Sequence, residues 1–275
     1  MRIIEAFGET GVRFLVFASV FAVMALLELA LPKRRLSRPR TGRWPANLAI
    51  VALDSLVVRV LASLAVPLAA VAAAVYAHAQ GWGLFNNLEW PIWLEFAVAV
   101  VVLDFALWFQ HLASHRLPLL WRVHRMHHAD VDIDVSTAIR FHPIEIALSM
   151  LWKILWVLAL GAAAAAVLAF EIILNATAMF NHANVALPVW LDALLRPLIV
   201  TPDMHRIHHS VLSREHDSNY GFNLSVWDRL FRTYTEAPEH GHTGMTIGLK
   251  GFQSELPTRL SWSLSLPFRS QSKID

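Results

Sequence analysis

The sequence predicts an all-α protein, a multi-pass transmembrane helical bundle of four or five spans with a helical cytoplasmic cap. Three observations lead there. Of 275 residues 56% are hydrophobic, above the roughly 45–50% of a soluble domain, and mean hydropathy is +0.47. The apolar residues fall in runs long enough to cross a ~30 Å hydrocarbon core. The most basic stretch, KRRLSRPRTGR at 33–43, holds six Lys or Arg and no acid directly after the first run, the pattern of a cytoplasmic loop.

The elements follow in order. Residues 14–31 form a first span. This run is too long for a signal-peptide core, and basic residues follow it where a cleavage site would need small ones. With the 33–43 loop cytoplasmic, the N-terminus lies outside. Residues 46–77 are apolar but would reach ~48 Å as one helix, and Asp54 and Arg59 interrupt them. They divide into an interfacial helix to about Leu56 and a span over 57–77, kinked near Pro67. Residues 78–89 read as an outer turn and 90–109 as the next span. Residues 144–180 suit a helical hairpin turning within 161–166, which returns the chain to the cytoplasm at Asn181 and His182. The polar remainder stays on that side. The chain divides into N-terminal membrane helices (1–94), a central domain (95–236) and a C-terminal cytoplasmic tail (237–275).

Composition narrows the chemistry. Cysteine is absent, so disulfides, thiolate sites, iron–sulfur centres and a catalytic cysteine are excluded. A net charge of +2 gives no footing for nucleic acid. Histidine is abundant, at 14 residues, and the predicted topology puts its tight groups on one face of the membrane.

HRMHH at 124–128 and HRIHH at 205–209 repeat one pattern, and HLASH at 111–115 adds a third group. Spacings of three and four place His124, His127 and His128 on neighbouring positions of a helix, and likewise His205, His208 and His209; His111 and His115 share a face. Neutral imidazole is the commonest protein metal ligand. One HxxHH arises by chance at roughly the level of a few per cent, and two copies with an added HxxxH far below that. Eight imidazoles, with His182 as a ninth, exceed what one ion takes and imply two metals. All-nitrogen ligation leaves Zn, Cu, Fe and Ni open; closed zinc sites want four ligands each, and the ninth ligand together with the placement beside a bilayer leans towards iron.

Supporting residues are expected around them. Asp104, two turns before His111, is placed to accept a ligand ring N–H or hold water. Asp130, Asp132 and Asp134 follow the first pentapeptide as a solvated or capping loop, and lack the glycine and glutamate of an EF-hand. Asp217 and Asn219 belong to a turn that orients His208 and His209, with Gly221 free to take positive φ. Arg125 and Arg206 read as surface charges or contacts for phosphate or a partner's acids. Trp108 packs, and residues 227–229 pack the tail against the site. His78, His216, His240 and His242 read as ordinary polar residues.

The stretches DFALWFQHLASH, LPLLWRVHRMHH, RFHPIE, NHANVALP, MHRIHHS and DSNYGFNLSVWDRLFRTY together resemble the fatty acid hydroxylase / sterol desaturase superfamily of integral-membrane di-iron oxygenases. The likeness covers about 95–234. It implies O₂ and two electrons used at two irons to hydroxylate, less often desaturate, a lipid chain. It implies the eight box histidines as ligands, with His182 as a further one, and His142 as a supporting or substrate-facing residue. The fused haem domain of some relatives is missing, since Ile144 and Glu145 follow His142-Pro143. Electrons must then come from a separate donor: a small b-type cytochrome, a ferredoxin or a reductase. Two other classes stay open, a membrane zinc metallohydrolase and a histidine-rich metal transporter or store. The first would usually bring bridging carboxylates, the second ligands at mid-membrane. Abundant Ala, Arg and Trp suggest a GC-rich bacterium, hence an inner membrane.

Overall fold

The computed structural model describes residues 2–64 and 69–269, with side chains from Gly8 onward. Among these residues the secondary structure is helical, with three isolated β-bridges and no strand. Five helices are long and apolar enough to cross a membrane: the Gly8–Ala30 part of α1 (Arg2–Ala30), α2 (Arg40–Leu64), α4 (Ile92–Arg116), α6 (Pro143–Leu160) and α7 (Ala164–His182). This is a multi-pass membrane protein.

The second apolar stretch differs from the expectation. α2 runs unbroken through Leu56 to Leu64, and a separate helix, α3 (Ala70–Gln80), follows. No single helix covers 57–77, and Pro67 lies outside the described residues. Asp54 does not stop α2 because it is 6% exposed and turned into the protein, not towards lipid. At 11 residues α3 is only about 16 Å long. It buries Ala70, Ala73, Ala74 and Ala77, a stripe at i, i+3, i+4 and i+7 that lets it lie close against α6 and α7.

α6 and α7 form the expected hairpin, with the turn confined to 161–163. The alanines from Ala164 open α7, in keeping with their helix propensity. Gly161 ends α6 in the left-handed region at φ 66°, and Gly83 packs directly on it. A Cβ on Gly83 would lie 2.1 Å from the Gly161 nitrogen, so the contact tolerates no side chain there. Leu103, Leu107, Val157, Val167 and Phe170 fill the space between α3, α4, α6 and α7.

The other end of the bundle carries the cap: α5 (Pro118–His128), α8 (Val189–Leu195), α9 (Pro202–His208), α10 (Ser213–His216), α11 (Val226–Leu230), α12 (Gly241–Gly244) and α13 (Leu260–Ser265). α5 leaves α4 at Leu117, whose extended backbone and following proline break the helix. Proline is the first residue of α5, α6 and α9, where its missing N–H costs nothing and its fixed φ sets the helix phase. Trp262 and Leu266 fold back onto Ile50, Met126 and Ala129, so residues up to 269 cover the cap.

The aspartates after the first pentapeptide are not a solvated loop. Asp130, Asp132 and Asp134 are all buried. Arg43 forks onto Asp130 (Nε–Oδ1 2.8 Å, Nη2–Oδ2 2.8 Å) and reaches Asp134 at 2.7 Å. Asp132 accepts from the Ser37 and Arg38 backbone N–H groups. A buried acid is affordable only when paired and hydrogen-bonded, and the basic 33–43 segment supplies that pairing. Burial alone would raise the Asp130 carboxyl; the Arg43 guanidinium overrides it and holds it below the usual carboxylate range.

Candidate metal centre

His111 and His115 lie in the last two turns of α4, and His124, His127 and His128 in the last two of α5. His182 ends α7, and His205 and His208 lie on α9 with His209 as its cap. Four helix ends thus meet at one place; the His115 side chain is fully buried, and the other eight residues are exposed to 3% or less. The nine fall into two groups whose ligand atoms lie within 4.8 Å of one another: His111, His115, His124, His128 and His208 in the first, and His127, His182, His205 and His209 in the second.

The two pentapeptides interleave. In the first copy the i and i+4 histidines join the first group and the i+3 histidine the second. In the second copy the assignment is reversed. Rings from the two groups touch: His128 stands 4.6 Å from His209, and His205 5.0 Å from His208, centroid to centroid.

The ring nitrogens are oriented from behind. Nδ1–H of His111 donates to the Tyr220 carbonyl (2.6 Å), His127 to Arg140 (3.2 Å), His182 to Ala178 (2.7 Å) and His208 to Ser218 (2.7 Å). His124 donates to the Glu145 carboxylate at 2.6 Å. Each bond fixes the tautomer that turns Nε2 inward as a free lone pair. The inward nitrogens then lie 3.1 Å apart for His111 and His124, 3.2 Å for His127 and His182, and 3.1 Å for His182 and His205. Two nitrogens sharing an ion at about 2.1 Å are separated by roughly 3.0–3.4 Å. Both ring nitrogens of His115, His128 and His209, and Nε2 of His208, are buried without a hydrogen-bond partner. Buried polar atoms are rarely left so. Close lone pairs and orphaned nitrogens both fit a pair of metal ions.

The electrostatics favour the ligand form. Burial, followed by repulsion from neighbouring imidazoles, drives His127, His128, His205 and His209 well below the ordinary histidine value. For His208 burial and His111 outweigh the Ser218 carbonyl to the same effect. All five are neutral at pH 7. Phe141 stacks on His127 at 4.3 Å and Phe222 covers His111 at 4.7 Å, giving the site an apolar rim.

The supporting residues differ in part from expectation. Asp104 holds no histidine; its Oδ2 accepts from Trp227 Nε1 (2.7 Å) and the Leu224 N–H (3.3 Å). Together with Asp228, which accepts from Trp108 and from the Tyr220 and Gly221 N–H groups, it docks the segment whose carbonyl grips His111. Asp130 likewise makes its bonds to Arg43 and Thr137, not to a ring. Asp217 stands 3.4 Å from His115 Nδ1.

The turn takes its positive φ at Asn219 (53°), and Asn219 ties it to Met204 and Thr235. It orients His111 and His208, where His208 and His209 were expected. Gly221 is needed for space instead, since a Cβ would meet Val200 at 2.8 Å. His142 is no ring partner of either group: its Nδ1 caps α6 by accepting from the Ile144 N–H, and its Nε2 donates to Leu264. Arg125 and Arg206 are fully buried, Arg125 donating to Leu266 and Arg269 carbonyls and Arg206 pairing with Asp203. His216 is not remote: it stacks on Trp121 and forms, with His115 and Asp217, a third cluster beside the first group.

Glu145 was missed. The available signal was an acid in the first turn of a helix whose only other charge is Lys153, where a membrane charge needs a reason.

A cavity of about 510 Å³ reaches this site from between the spans. His111, His124 and Glu145 line it together with Phe17, Val51, Leu107, Met150 and Leu174, the ion-paired Arg13, Lys153 and Glu171, and Asp54 and Arg59 of α2.

Comparison with known proteins places this geometry. No solved structure matches the chain. The ornithine lipid hydroxylase OlsE of Rhizobium tropici is 28% identical over 88% of this chain and 73% of its own length. An alkylglycerol monooxygenase of Xenopus tropicalis is 28% identical over 62% of this chain, which spans only 38% of that protein. The rice very-long-chain aldehyde decarbonylase GL1-5 is 25% identical over 54% of the chain and 26% of its own length. The family model described as fatty acid hydroxylase matches residues 96–233, half of the chain and all nine clustered histidines; the chain belongs to the fatty acid hydroxylase family and is an oxidoreductase.

Proposed function

We propose that this protein hydroxylates a membrane lipid, with two irons held by His111, His115, His124, His128 and His208 and by His127, His182, His205 and His209. The observation that carries the reading is the meeting of the inter-helical cavity with the first histidine group at His111 and His124. A substrate in that cavity is shielded from water and lies beside the metal ligands. Five imidazoles in one group exceed the four of a closed zinc site, which favours iron.

The irons, when bound, supply the reductive activation of O₂: one oxygen atom enters a C–H bond, the other leaves as water, and two electrons and two protons are taken up. The protein's own residues hold the ring tautomers through five Nδ1–H bonds, keep the imidazoles neutral and close the rim with Phe141 and Phe222. The electrons come from a separate donor protein.

The site faces the cytoplasm on this reading. The basic 33–43 segment packs directly on the cap, Lys33 pairing with Asp203 at 2.6 Å. The loops at the opposite end, 81–91 and 161–163, contain no Lys or Arg.

The test combines metal analysis of the purified protein, O₂ uptake with a chemical reductant, and mass spectrometry of lipids from cells with and without the gene. Two irons per chain, reductant-dependent O₂ uptake and a lipid that gains one oxygen atom are expected. Tightly held zinc with no O₂ uptake would refute the reading.

A further inference from the structure

Two short cap helices turn apolar faces outward at the level of the spans. α8 buries no residue; its Val189, Trp190 and Leu194, with Leu198 just beyond it, are between 65% and 86% exposed. On α11, Val226 and Leu230 are exposed, as is Phe231 at its end. The two sets are joined: the Ser225 N–H donates to the Leu198 carbonyl (3.1 Å), its hydroxyl donates to the Arg196 carbonyl (2.7 Å), and Ile199 bridges to Leu224.

α11 stands against the middle of a span. Trp227 Nε1 donates to Asp104 at 2.7 Å, and Phe231 packs on Phe105 (5.9 Å) and Trp108 (4.6 Å). Asp104 is the central residue of the 25-residue α4, about 18 Å from either end. The same stretch of α4 meets the middle of α6, where Trp152 donates to the Ala106 carbonyl at 2.8 Å. A surface at that level faces acyl chains, not water. Phe109 of α4 is exposed there too, and its ring lies 6.4 Å from that of Phe105, so the apolar face of α11 continues the lipid-facing side of the span.

We propose that α8 and α11 are sunk in the leaflet on the histidine side of the membrane, so that this part of the cap is covered by lipid and not by water. Helices of seven and five residues are far too short to cross a bilayer; they lie within one leaflet, as monotopic elements do. Trp190 carries the amphipathic ring that favours the boundary between acyl chains and headgroups. Arg229 is compatible with that depth, since its guanidinium stands over the Tyr234 ring at 3.9 Å and donates to the Arg196 carbonyl, and long cationic stems carry their heads towards the phosphates. Continuity with α4 selects lipid as the occupant: a second copy or a redox partner would have to strip lipid from the flank of a span to reach this face. The embedded face also backs the metal centre. Asp228 of α11 holds the Tyr220 and Gly221 N–H groups, and the Tyr220 carbonyl holds His111, so the leaflet and the first histidine group share a wall. The placement stands on geometry alone and does not need the hydroxylase reading.

The first test uses the unaltered protein. The full chain is reconstituted in phosphatidylcholine–phosphatidylglycerol vesicles that contain a phosphatidylcholine with a diazirine in its acyl chain, irradiated, and mapped by peptide mass spectrometry. Lipid adducts within 189–198 and 226–231 are expected beside those on the exposed Leu151 and Leu155 of α6. A labelled α6 with neither cap segment labelled would overturn the proposal. The second test exploits the absence of cysteine: Leu194→Cys and Leu230→Cys each take a single nitroxide in the same vesicles, and power saturation compares collisions with O₂ and with a water-soluble nickel chelate. The ratio is expected to shift to that of a Leu155→Cys label and away from that of Ser254→Cys, which lies beside the exposed Arg38–Glu255 pair. A ratio matching residue 254 would overturn the proposal. So would labels shielded from both agents and coupled to one another, the mark of a face between two copies of the chain.

Discussion

Removing the carboxylate behind His124 weakens one metal position and spares the other. Glu145 and His124 are 2.6 Å apart, their side chains 9% and 1% exposed, so water cannot substitute freely for a lost partner. A hydrogen bond to a charged group contributes about 1.5–3 kcal/mol net, a neutral one about 0.5–1.5. Glu145→Ala deletes the bond, leaves the His124 Nδ1–H buried without an acceptor, and is expected to weaken the first group roughly 10- to 100-fold. Glu145→Gln keeps an amide oxygen as acceptor and loses only the charge assistance, for a drop of about fivefold. Because no member of the second group touches Glu145, its affinity is expected to stay within about twofold. The assay is a Co²⁺ titration of metal-stripped protein against a fluorescent chelator, in which the wild type shows two binding steps. A selective shift of one step is the expected result. Two unshifted steps, or two steps weakened alike, would refute the argument that the carboxylate acts through a single ring.

Other outcomes are expected from the same geometry. His124→Ala and His127→Ala, three residues apart on α5, should depress opposite steps of that titration, and His240→Ala neither, which inductively coupled plasma analysis can check as iron content. Metal retention should depend on pH in one direction: the native rings of His127, His128, His205, His208 and His209 lie well below 6.5, whereas opened chains take up protons near 6.5. Stability and retention are then full above about pH 6.5 and fall as pH drops below it, and equilibrium dialysis of iron across pH 5–8 reads this directly; retention that rose on acidification would contradict it. Arg43→Ala strands Asp130 and Asp134 in the interior and should cost about 3–5 kcal/mol, seen as a fall of about 10 °C in thermal midpoint. Gly83→Ala, aimed at the Gly161 backbone, should destabilise by about 1–3 kcal/mol or more, while Gly81→Ala, with open space around it, should cost only about 1–2 for its left-handed φ; equal midpoints for the pair would count against the contact.

What was legible in the sequence was what repeats locally. Spacing alone picked out eight of the histidines that the structure gathers, because helical periodicity carries i, i+3 and i+4 relations without reference to the rest of the chain; His182 came from its place at the foot of a span and from the family resemblance. Their division into two interleaved groups was not legible, since it depends on the angle at which α5 meets α9. Partners distant in sequence were lost for the same reason. The six cations of 33–43 read as a signal for membrane orientation, and nothing local showed that Arg43 would grip Asp130, 87 residues on. The three aspartates then looked like solvent-facing residues because their cations were out of view. Asp54 was read as a break in a span, a sound rule for lipid-facing positions that fails where the residue turns to a cavity.

The crossed allegiance of the two pentapeptides has a mechanical side. Each ion would suture three stretches of chain, the first joining α4, α5 and α9 and the second α5, α7 and α9. The seam between α5 and α9 is stitched twice, once through each ion, so losing either one leaves those helices still fastened. Only α4 and α7 hang on a single thread each, and it is at those two helix ends that a half-emptied protein would first come loose.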